Sequence, residues 1–305
     1  MKDIIPAVDR KLIEKELTEE TFVRKTNNGG RSIYRITHHN SPNVMRELGR
    51  LRELSFRQAG GGTGKELDVD KYDTSDQPFK QLVVWDDDDR EIVGGYRYLE
   101  GNLILKNGIP ETPTSKLFNF SEKFIKDYLP KTIELGRSFV QPKYQPLVNL
   151  RKGIYSLDNL WDGLGALMVD YTEIKYFFGK FTMYPDFDRY SRDIIHHFLH
   201  KYFPDNENLV YPREPFLSKQ NYEELEKLFV GSTYEEDYKG LIKIVRSRGW
   251  NIPPLVNAYM NLSPSMKTFG TALNHSFGEV EETGILITIG DVYDAKKARH
   301  MSNYK

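Results

Sequence analysis

Two charged residues interrupt an apolar, β-branched stretch near the middle of the chain. Residues 132–142 read Thr-Ile-Glu-Leu-Gly-Arg-Ser-Phe-Val-Gln-Pro, a pattern typical of a β-strand that carries Glu134 and Arg137. Charges in such a strand are costly to bury unless they satisfy each other or a ligand. A carboxylate placed there can serve as a general base, and a guanidinium can bind a carboxylate. A structural ion pair at a strand end is the alternative interpretation.

Five further candidates precede this strand. Arg52 and Phe56 stand four residues apart in a stretch with helical periodicity, so they share one face of a helix. Asp70 and Asp73 lie in the polar loop that follows, and Arg97 lies in a later strand. The arginines can hold a substrate carboxylate or order the acidic loop, and the aspartates can bind an amine or pair with the arginines. The sequence leaves both roles open for each.

Composition limits the class of protein. The chain has 305 residues, a net charge of −1 and no cysteine. It is long enough to bury a substantial core, and its charge excludes a globally basic nucleic-acid binder. Without cysteine there are no disulfides, thiolate metal sites or cysteine nucleophiles. We expect a cytoplasmic protein, because the start has no signal-peptide pattern and no run is long and apolar enough to span a membrane; peripheral contact with the inner membrane face stays open.

Hydrophobic periodicity predicts the elements that position these residues. Two β-hairpins, at residues 21–37 and 79–99, are expected on either side of a helix over residues 42–58. A strand over residues 132–142 and another over residues 176–184 follow, joined by a helix. The joining helix is expected at residues 158–171. Further helices are expected at residues 6–18, 121–128, 188–202, 222–229, 234–248 and 254–262, and further strands at residues 267–276 and 284–289.

This order of elements resembles the GNAT acyltransferase fold, an α+β fold in which helices flank a mixed central sheet. The resemblance divides the chain into an N-terminal helix and hairpin flap at residues 1–40 and a GNAT-like core at residues 41–184. A helical insertion follows at residues 185–250, and the core resumes at residues 251–305.

The motifs resemble the acyl-homoserine-lactone synthases, and still more the ornithine- and glycine-lipid N-acyltransferases, often labelled hemolysin-like, of the GNAT superfamily. The closer resemblance depends on three stretches: Glu-Leu-Gly-Arg-Ser-Phe-Val at residues 134–140, Leu-Trp-Asp-Gly-Leu at residues 160–164 and Pro-Leu-Val-Asn-Ala-Tyr-Met at residues 254–260. The resemblance covers about residues 43–290. Each motif alone is weak evidence, and the resemblance depends on their occurring in the same order along the chain.

The resemblance implies transfer of a fatty acyl group from acyl carrier protein (ACP) to the amine of glycine or ornithine, giving an N-acyl amino acid or aminolipid precursor. Glu134 would accept the amine proton, and Arg137 would act beside it in catalysis. In this fold a splayed central strand presents backbone N–H groups to the thioester. The residues expected to bind the donor are Ser138, Phe139 and Val140, and those expected to bind the acceptor are Arg52, Phe56, Asp70, Asp73 and Arg97.

The segment after the central strand bears on the identity of the donor. GNAT enzymes that use coenzyme A usually have a glycine-rich loop there, which binds the pyrophosphate at a helix start. Residues 141–146 lack that pattern, which favours ACP over acyl-CoA. A basic patch could meet the acidic surface of ACP, although an ordinary solvated face is the alternative. Its residues are Arg46, Arg50, Arg57, Lys143, Arg151 and Lys152.

Two other functions stay open: a coenzyme-A-dependent acetyltransferase acting on a small amine, and a non-catalytic acyl-ACP-binding protein. Two motifs are set aside. Residues 60–65 are glycine-rich but lack the Walker spacing, and we expect a helix end and loop there. His196 and His200 share a helix face but lack the intervening glutamate of zinc proteases, so no metal or bound cofactor is expected.

Overall fold

A mixed eight-stranded sheet forms the centre of the computed structural model, which describes residues 1–146, 148–218, 220–301 and 304. The described residues form twelve strands, eight of which belong to this sheet. They are Phe22–Lys25 (β1), Ser32–Ile36 (β2), Lys80–Asp86 (β3), Glu91–Glu100 (β4), Leu105–Lys106 (β5), Ile109–Pro110 (β6), Phe118–Phe120 (β7), Thr132–Val140 (β8), Tyr176–Met183 (β9), Val210–Pro212 (β10), Lys267–Asn274 (β11) and Val280–Thr288 (β12). The order in the central sheet is β1-β2-β3-β4-β8-β9-β12-β11, so the predicted α+β fold is confirmed.

Helices cover both faces of this sheet. They are Arg10–Glu16 (α1), Pro42–Gln58 (α2), Lys71–Thr74 (α3), Leu150–Gly153 (α4), Ser156–Asp170 (α5), Arg189–Tyr202 (α6), Tyr222–Glu226 (α7), Tyr234–Ser247 (α8), Pro254–Met260 (α9) and Asp294–Met301 (α10). Side chains alternate between the two faces of a strand, so each strand contributes to two cores. One core joins the sheet to α5, α6, α8 and α9, and the other face packs against α2 and the segment before β8. Within the described ranges, no helix combines the length and apolarity needed to cross a membrane.

The sheet opens between β8 and β9. These strands run parallel and pair only over Thr132–Glu134 and Tyr176–Phe178. Beyond that point β8 continues along β4 and β9 continues along β12, each in an antiparallel pair. The C-terminal halves of β8 and β9 therefore part, and they leave a gap in the middle of the sheet.

Helix α2 forms where the sequence predicts it. Ser41 precedes the helix and Pro42 occupies its first position, where a proline costs no hydrogen bond. Val44, Leu48 and Leu51 recur at helical spacing and are all buried against the sheet. This face also carries Arg52 and Phe56, so the amphipathic pattern determines which side of α2 turns toward the gap.

Several local predictions need correction. The helix predicted at residues 6–18 is shorter, Arg10–Glu16, and the helix predicted at residues 222–229 ends at Glu226. The strand predicted from residue 284 begins at Val280, because Glu281 and Glu282 are buried with basic partners rather than exposed. The helix predicted at residues 121–128 is largely a wider π-type turn, Phe124–Tyr128. Both hairpins and the helix at residues 42–58 are confirmed within two residues.

The helices between β9 and β12 share a core with the sheet. Ile194 of α6 and Leu241 of α8 belong to the same buried cluster as Phe177 of β9 and Ile285 of β12. Their common core joins this segment to the sheet rather than leaving it apart. The division at residues 40, 184 and 250 stays a prediction.

Candidate active site

A cavity of about 600 Å³ occupies the gap between β8 and β9. Residues 135–138 of β8 line one side, and residues 177–184, on β9 and just after it, line the other. Leu255 and Tyr259 of α9 and Ile285 of β12 complete an apolar wall. The strand separation thus creates a space that is open to solvent near the exposed Asp186 and lined by hydrocarbon deeper inside. Such a space suits a long apolar group with one polar end.

A β-bulge marks the point where β8 borders the gap. Gly136 lies opposite Arg97 and Phe139 lies opposite Gly95, so two residues of β8 face one of β4. Arg137, the first residue of the bulge, has a left-handed backbone with φ of +53°. This conformation is uncommon outside glycine, and a bulge is a frequent device for redirecting a strand next to a site.

The donor-binding residues predicted on β8 face different ways. Ser138 lines the cavity. The N–H of Gln141 donates to the carbonyl of Val93 on β4 (3.0 Å), so strand alternation directs the Phe139 amide toward β4 and the Val140 amide away from it. The Phe139 ring is buried in the core beside α2. Ser138 and Val140 are therefore better placed than Phe139 to offer an N–H to the gap.

Glu134 lies at the last paired position before the strands part. Its partner across the sheet is Phe178, and the glutamate is 2% exposed. Burial raises the pKa of the Glu134 carboxyl, against the opposing effect of the Thr114 and Thr112 hydroxyls and of the Lys180 charge. Its Oε2 has no hydrogen-bond partner among the described residues. A buried carboxylate with an unsatisfied oxygen is equipped to take up a proton.

Glu134 is not, however, part of the cavity wall. Its chain neighbour Leu135 and its strand partner Phe178 line the cavity, whereas the carboxylate lies behind them. A water molecule or a change of rotamer is needed to connect it to a ligand in the gap. Its role as general base stays a prediction, and the relayed route is the one this position allows.

The predicted acidic loop is tied to the sheet by buried arginines. Asp70 caps α3, and the side chain of Asp73 accepts from the Asp70 N–H, which completes a capping box. Arg97 donates to both oxygens of Asp70 (2.9 and 3.0 Å), and its Nη1 lies 2.9 Å from Asp73. Arg52, fully buried, contacts Asp73 and Gln81. These arginines and aspartates pair with one another. Of the two roles that the sequence leaves open, this pairing corresponds to ordering the acidic loop rather than to binding a substrate.

Arg137 and Phe56 connect this network to the cavity. The Nε of Arg137 lies 2.7 Å from Asp68, an aspartate that the sequence analysis did not single out. Its guanidinium also covers the Phe277 ring, 4.3 Å from the centroid. Phe56 contacts the same ring edge to face at 5.2 Å. Both predicted residues line the cavity, whereas Arg52, Asp70, Asp73 and Arg97 lie behind the wall.

Besides the exposed Asp186, two charged residues of the cavity wall were missed by sequence reasoning. Lys180 of β9 forms an ion pair with Glu282 of β12, whose Oε1 accepts from Asn274 (3.2 Å). Both charged residues line the cavity, and Glu282 is 1% exposed. A signal was available, because Lys180 is the only charge in an otherwise apolar strand, Tyr176–Met183. Glu282 had been placed outside the strand, so its partnership was not visible.

The glycine-rich stretch at residues 60–65 binds the side-chain carboxylate of Glu53. Glu53 accepts from the N–H groups of Thr63 (3.0 Å) and Gly64 (2.8 Å) and from the Thr63 hydroxyl. Gly60 has φ of +91°, as the end of α2 requires. These contacts show a helix end and loop folded around a carboxylate.

The mixed sheet with flanking helices is the fold of the GNAT class, and residues 51–151 match the family described as Acetyltransferase (GNAT) domain. The whole chain is 54% identical to a glycine N(alpha)-acyltransferase of Bacteroides thetaiotaomicron, covering 91% of that protein. It is 51% identical to a glycine N(alpha)-acyltransferase of Phocaeicola vulgatus, again over the whole chain and 94% of the relative. The chain belongs to this family of N-acyltransferases.

Among solved structures, a CoA-dependent acyl-homoserine lactone synthase with SAM and isopentyl-CoA aligns with 50% of this chain and 68% of its own length. The TM-score is 0.32 and the sequence identity is 18%.

Proposed function

We propose that the protein transfers a fatty acyl group from ACP to the amine of glycine, giving an N-acylglycine that can serve as an aminolipid precursor. The observation that carries this proposal is the apolar cavity of about 600 Å³ in the gap between β8 and β9. Glycine is placed before ornithine because the two curated relatives are named for glycine. Ornithine is the second acceptor to test.

The cavity wall favours a long acyl chain over an acetyl group. Phe177, Phe181, Leu255, Ile285 and Ile287 present aromatic and aliphatic surface to the space. Each CH₂ group that leaves water contributes about 0.8 kcal/mol, so a fatty chain gains binding energy along this wall. An acetyl group would leave most of that surface without a partner. This is the argument against the alternative, a coenzyme-A-dependent acetyltransferase.

The reaction we propose is acyl transfer through a tetrahedral intermediate. The neutral amine of glycine attacks the thioester carbonyl carbon, so a C–N bond forms and the C–S bond breaks. Glu134 accepts the amine proton through water and returns it by the same route to the phosphopantetheine thiolate, which leaves as the thiol. Backbone N–H groups of β8 near Ser138 and Val140 stabilise the oxyanion.

The preference for ACP is supported by what surrounds the start of α5. Arg31 of the β1–β2 hairpin donates to Ser156 (3.1 Å) and Asn159 (3.0 Å), and Asn159 donates to the carbonyl of Asn28 (2.8 Å). The hairpin turn therefore packs against the first turn of α5. A coenzyme A pyrophosphate bound at a helix start needs open space beside the first-turn N–H groups, and the hairpin turn takes up part of the space beside this helix. Acyl-CoA remains the alternative donor.

The experiment is acyl transfer by purified protein carrying Glu134→Gln, with Glu100→Gln as the matched control. Glu100 is also a poorly exposed glutamate on a sheet strand, but it pairs with Lys80 and lies outside the cavity. Loss of a general base should lower kcat by about 10²–10⁴-fold, whereas Glu100→Gln should retain activity within about twofold, since it touches neither substrate. Turnover is measured with long-chain acyl-ACP, long-chain acyl-CoA and acetyl-CoA.

The outcomes separate the alternatives. Turnover of acetyl-CoA with little turnover of long-chain donors would establish the acetyltransferase instead. A wild type that binds acyl-ACP but is inactive with every donor and amine would establish a binding protein. Unchanged kcat in folded Glu134→Gln would remove Glu134 from the mechanism.

A further inference from the structure

Lys180 has more negative charge around it than it can neutralise. On the loop side of the sheet, Arg52, Arg97 and Arg137 are matched by Asp68, Asp70 and Asp73. Lys180 lies near two buried glutamates, Glu282 on the cavity wall and Glu134 behind that wall. Lys180 makes its ion pair with Glu282, and its charge, like that of Arg97, partly offsets the rise that burial causes in the pKa of Glu134. This cluster therefore has one carboxylate in excess.

The register of three adjacent strands explains the cluster. Glu134 of β8 lies opposite Phe178 of β9, and Lys180 follows two residues later, so its side chain emerges on the same face as Glu134. Glu282 of β12 lies opposite Thr182, again on that face. The glutamates thus flank Lys180 from both neighbouring strands, at the depth where β8 and β9 separate.

An α-amino acid carries the two charges that a Lys–Glu pair can bind. It carries one ammonium and one carboxylate a few atoms apart, so it can exchange partners with a Lys–Glu pair without leaving a charge unpaired. Buried ions are costly when a partner is removed, and an exchange of partners avoids that cost. The excess carboxylate can then accept the proton that the ammonium must lose.

We propose that Lys180 and Glu282 are the acceptor-binding pair: Lys180 Nζ binds the acceptor carboxylate and Glu282 orients its amine toward the thioester. This inference rests on the proposed function, and it names the residues that restrict the acceptor to amino acids. The remaining cation on the wall, Arg137, is already held by Asp68 and by the Phe277 ring. Lys180 is therefore the cation best able to exchange its partner.

The test compares glycine with glycinamide, which has the same amine but no carboxylate. In the wild type, kcat/KM should favour glycine. Lys180→Met should raise KM for glycine at least about tenfold and reduce the glycine-to-glycinamide ratio of kcat/KM by a similar factor, while Lys180→Arg should restore part of it, because a bidentate cation can still bind a carboxylate. Glu282→Gln should raise KM for both acceptors.

Lys80→Met is the matched control. Lys80 forms a comparable cross-strand ion pair with Glu100, between β3 and β4, but lies outside the cavity. It should leave the ratio unchanged. Because Lys180→Met leaves Glu282 without its cation, the double variant Lys180→Met with Glu282→Gln is included as a neutral pair, and thermal melting checks that each variant is folded.

The outcomes distinguish this inference from the proposed function. If the wild type acylates glycine and folded Lys180→Met keeps the wild-type ratio, Lys180 is not the carboxylate anchor and the inference is wrong. A parallel fall of activity with both acceptors would also overturn it, since that is the effect of a structural role. If the wild type acylates neither glycine nor ornithine, the proposed function itself fails.

Discussion

Glu134, the proposed general base, is a buried carboxylate that lowers the stability of the fold when it is ionised. The residue is only 2% exposed, and one of its carboxylate oxygens has no hydrogen-bond partner among the described residues. Burial raises its pKa above the usual 4.5, so the folded protein binds that proton more tightly than the unfolded chain does. Ionised Glu134 consequently lowers the free energy of unfolding.

The stability of the Glu134→Gln variant relative to the wild type should depend on pH. Above about pH 4.5 the ordinary unfolded glutamate is ionised, and the native state bears the cost of burying the charge. Glu134→Gln should therefore be more stable than the wild type at pH 7. The gain should vanish as the pH falls below the unfolded pKa, where both states are protonated. Thermal or urea unfolding between pH 4 and pH 8 measures it.

Glu100→Gln provides the opposite case. Burial tends to raise the pKa of Glu100, but hydrogen bonds from Lys80, from a backbone N–H and from Tyr171, together with the Lys80 charge, lower it on balance. This carboxylate stabilises the fold above its unfolded pKa, so its removal should reduce stability at pH 7. Equal destabilisation by both variants at pH 7 would contradict our account of Glu134.

Residue types predicted part of this site. Phe56, Arg137 and Ser138 do line the cavity, as expected of substrate-side residues. Lys180 and Glu282 were missed, because a buried charge is recognised only when its partner is known, and the partner lies on a strand far away in sequence. Contacts of that kind are set by strand register, which the sequence pattern alone did not give.

At the scale of elements, helix α3 and its acidic loop depend on Asp73. The carboxylate accepts from the Asp70 N–H and contacts both Arg52 and Arg97. Burial alone would raise its pKa, but Arg97 and Arg52 together lower it from 3.8 to about 2. The network therefore holds the loop between α2 and β3 against the sheet.

Because of Asp73, the free energy of unfolding should fall as the pH is lowered. Because its folded pKa is depressed, its contribution of about 2 kcal/mol is present above pH 4 and is lost as the pH falls from about 4 to about 2. Asp73→Asn should lose at least that much at pH 7, and its difference from the wild type should shrink at pH 3. Urea unfolding at the two pH values tests this.

The control for Asp73 is Asp76→Asn, an exposed aspartate in the same loop. It should change the free energy of unfolding by less than about 0.5 kcal/mol at either pH. If Asp73→Asn behaved like this control, the arginine network would not be what orders the loop.

The elements themselves were largely predictable, and their boundaries less so. Helix α2 and the two hairpins have clear apolar periods and turn residues, so they were placed within two residues. The start of β12 was wrong because Glu281 and Glu282 look like exposed loop residues until Arg192 and Lys180 are found beside them. The bulge at Arg137 needed a register that only the folded sheet gives.

For the whole molecule, the fold was predictable because the order of elements and motifs is specific to one class, whereas the docking surface was not. Four members of the predicted basic patch pair with carboxylates of the protein: Arg50 with Glu47, Arg57 with Glu53, Lys143 with Glu91 and Lys152 with Asp89. Arg46 and Arg151 have no ion pair with another described residue. The surface offered to ACP is thus a mixed one, and contact with ACP stays a prediction.

The most direct test of the central claim is mass spectrometry of lipids from cells that express the chain or its Glu134→Gln variant. We predict that the wild type produces a long-chain N-acylglycine, because the apolar gap between β8 and β9 selects the acyl chain. The variant should produce at most about one hundredth as much. A lipid extract without any N-acyl amino acid, or equal amounts from both proteins, would contradict the account.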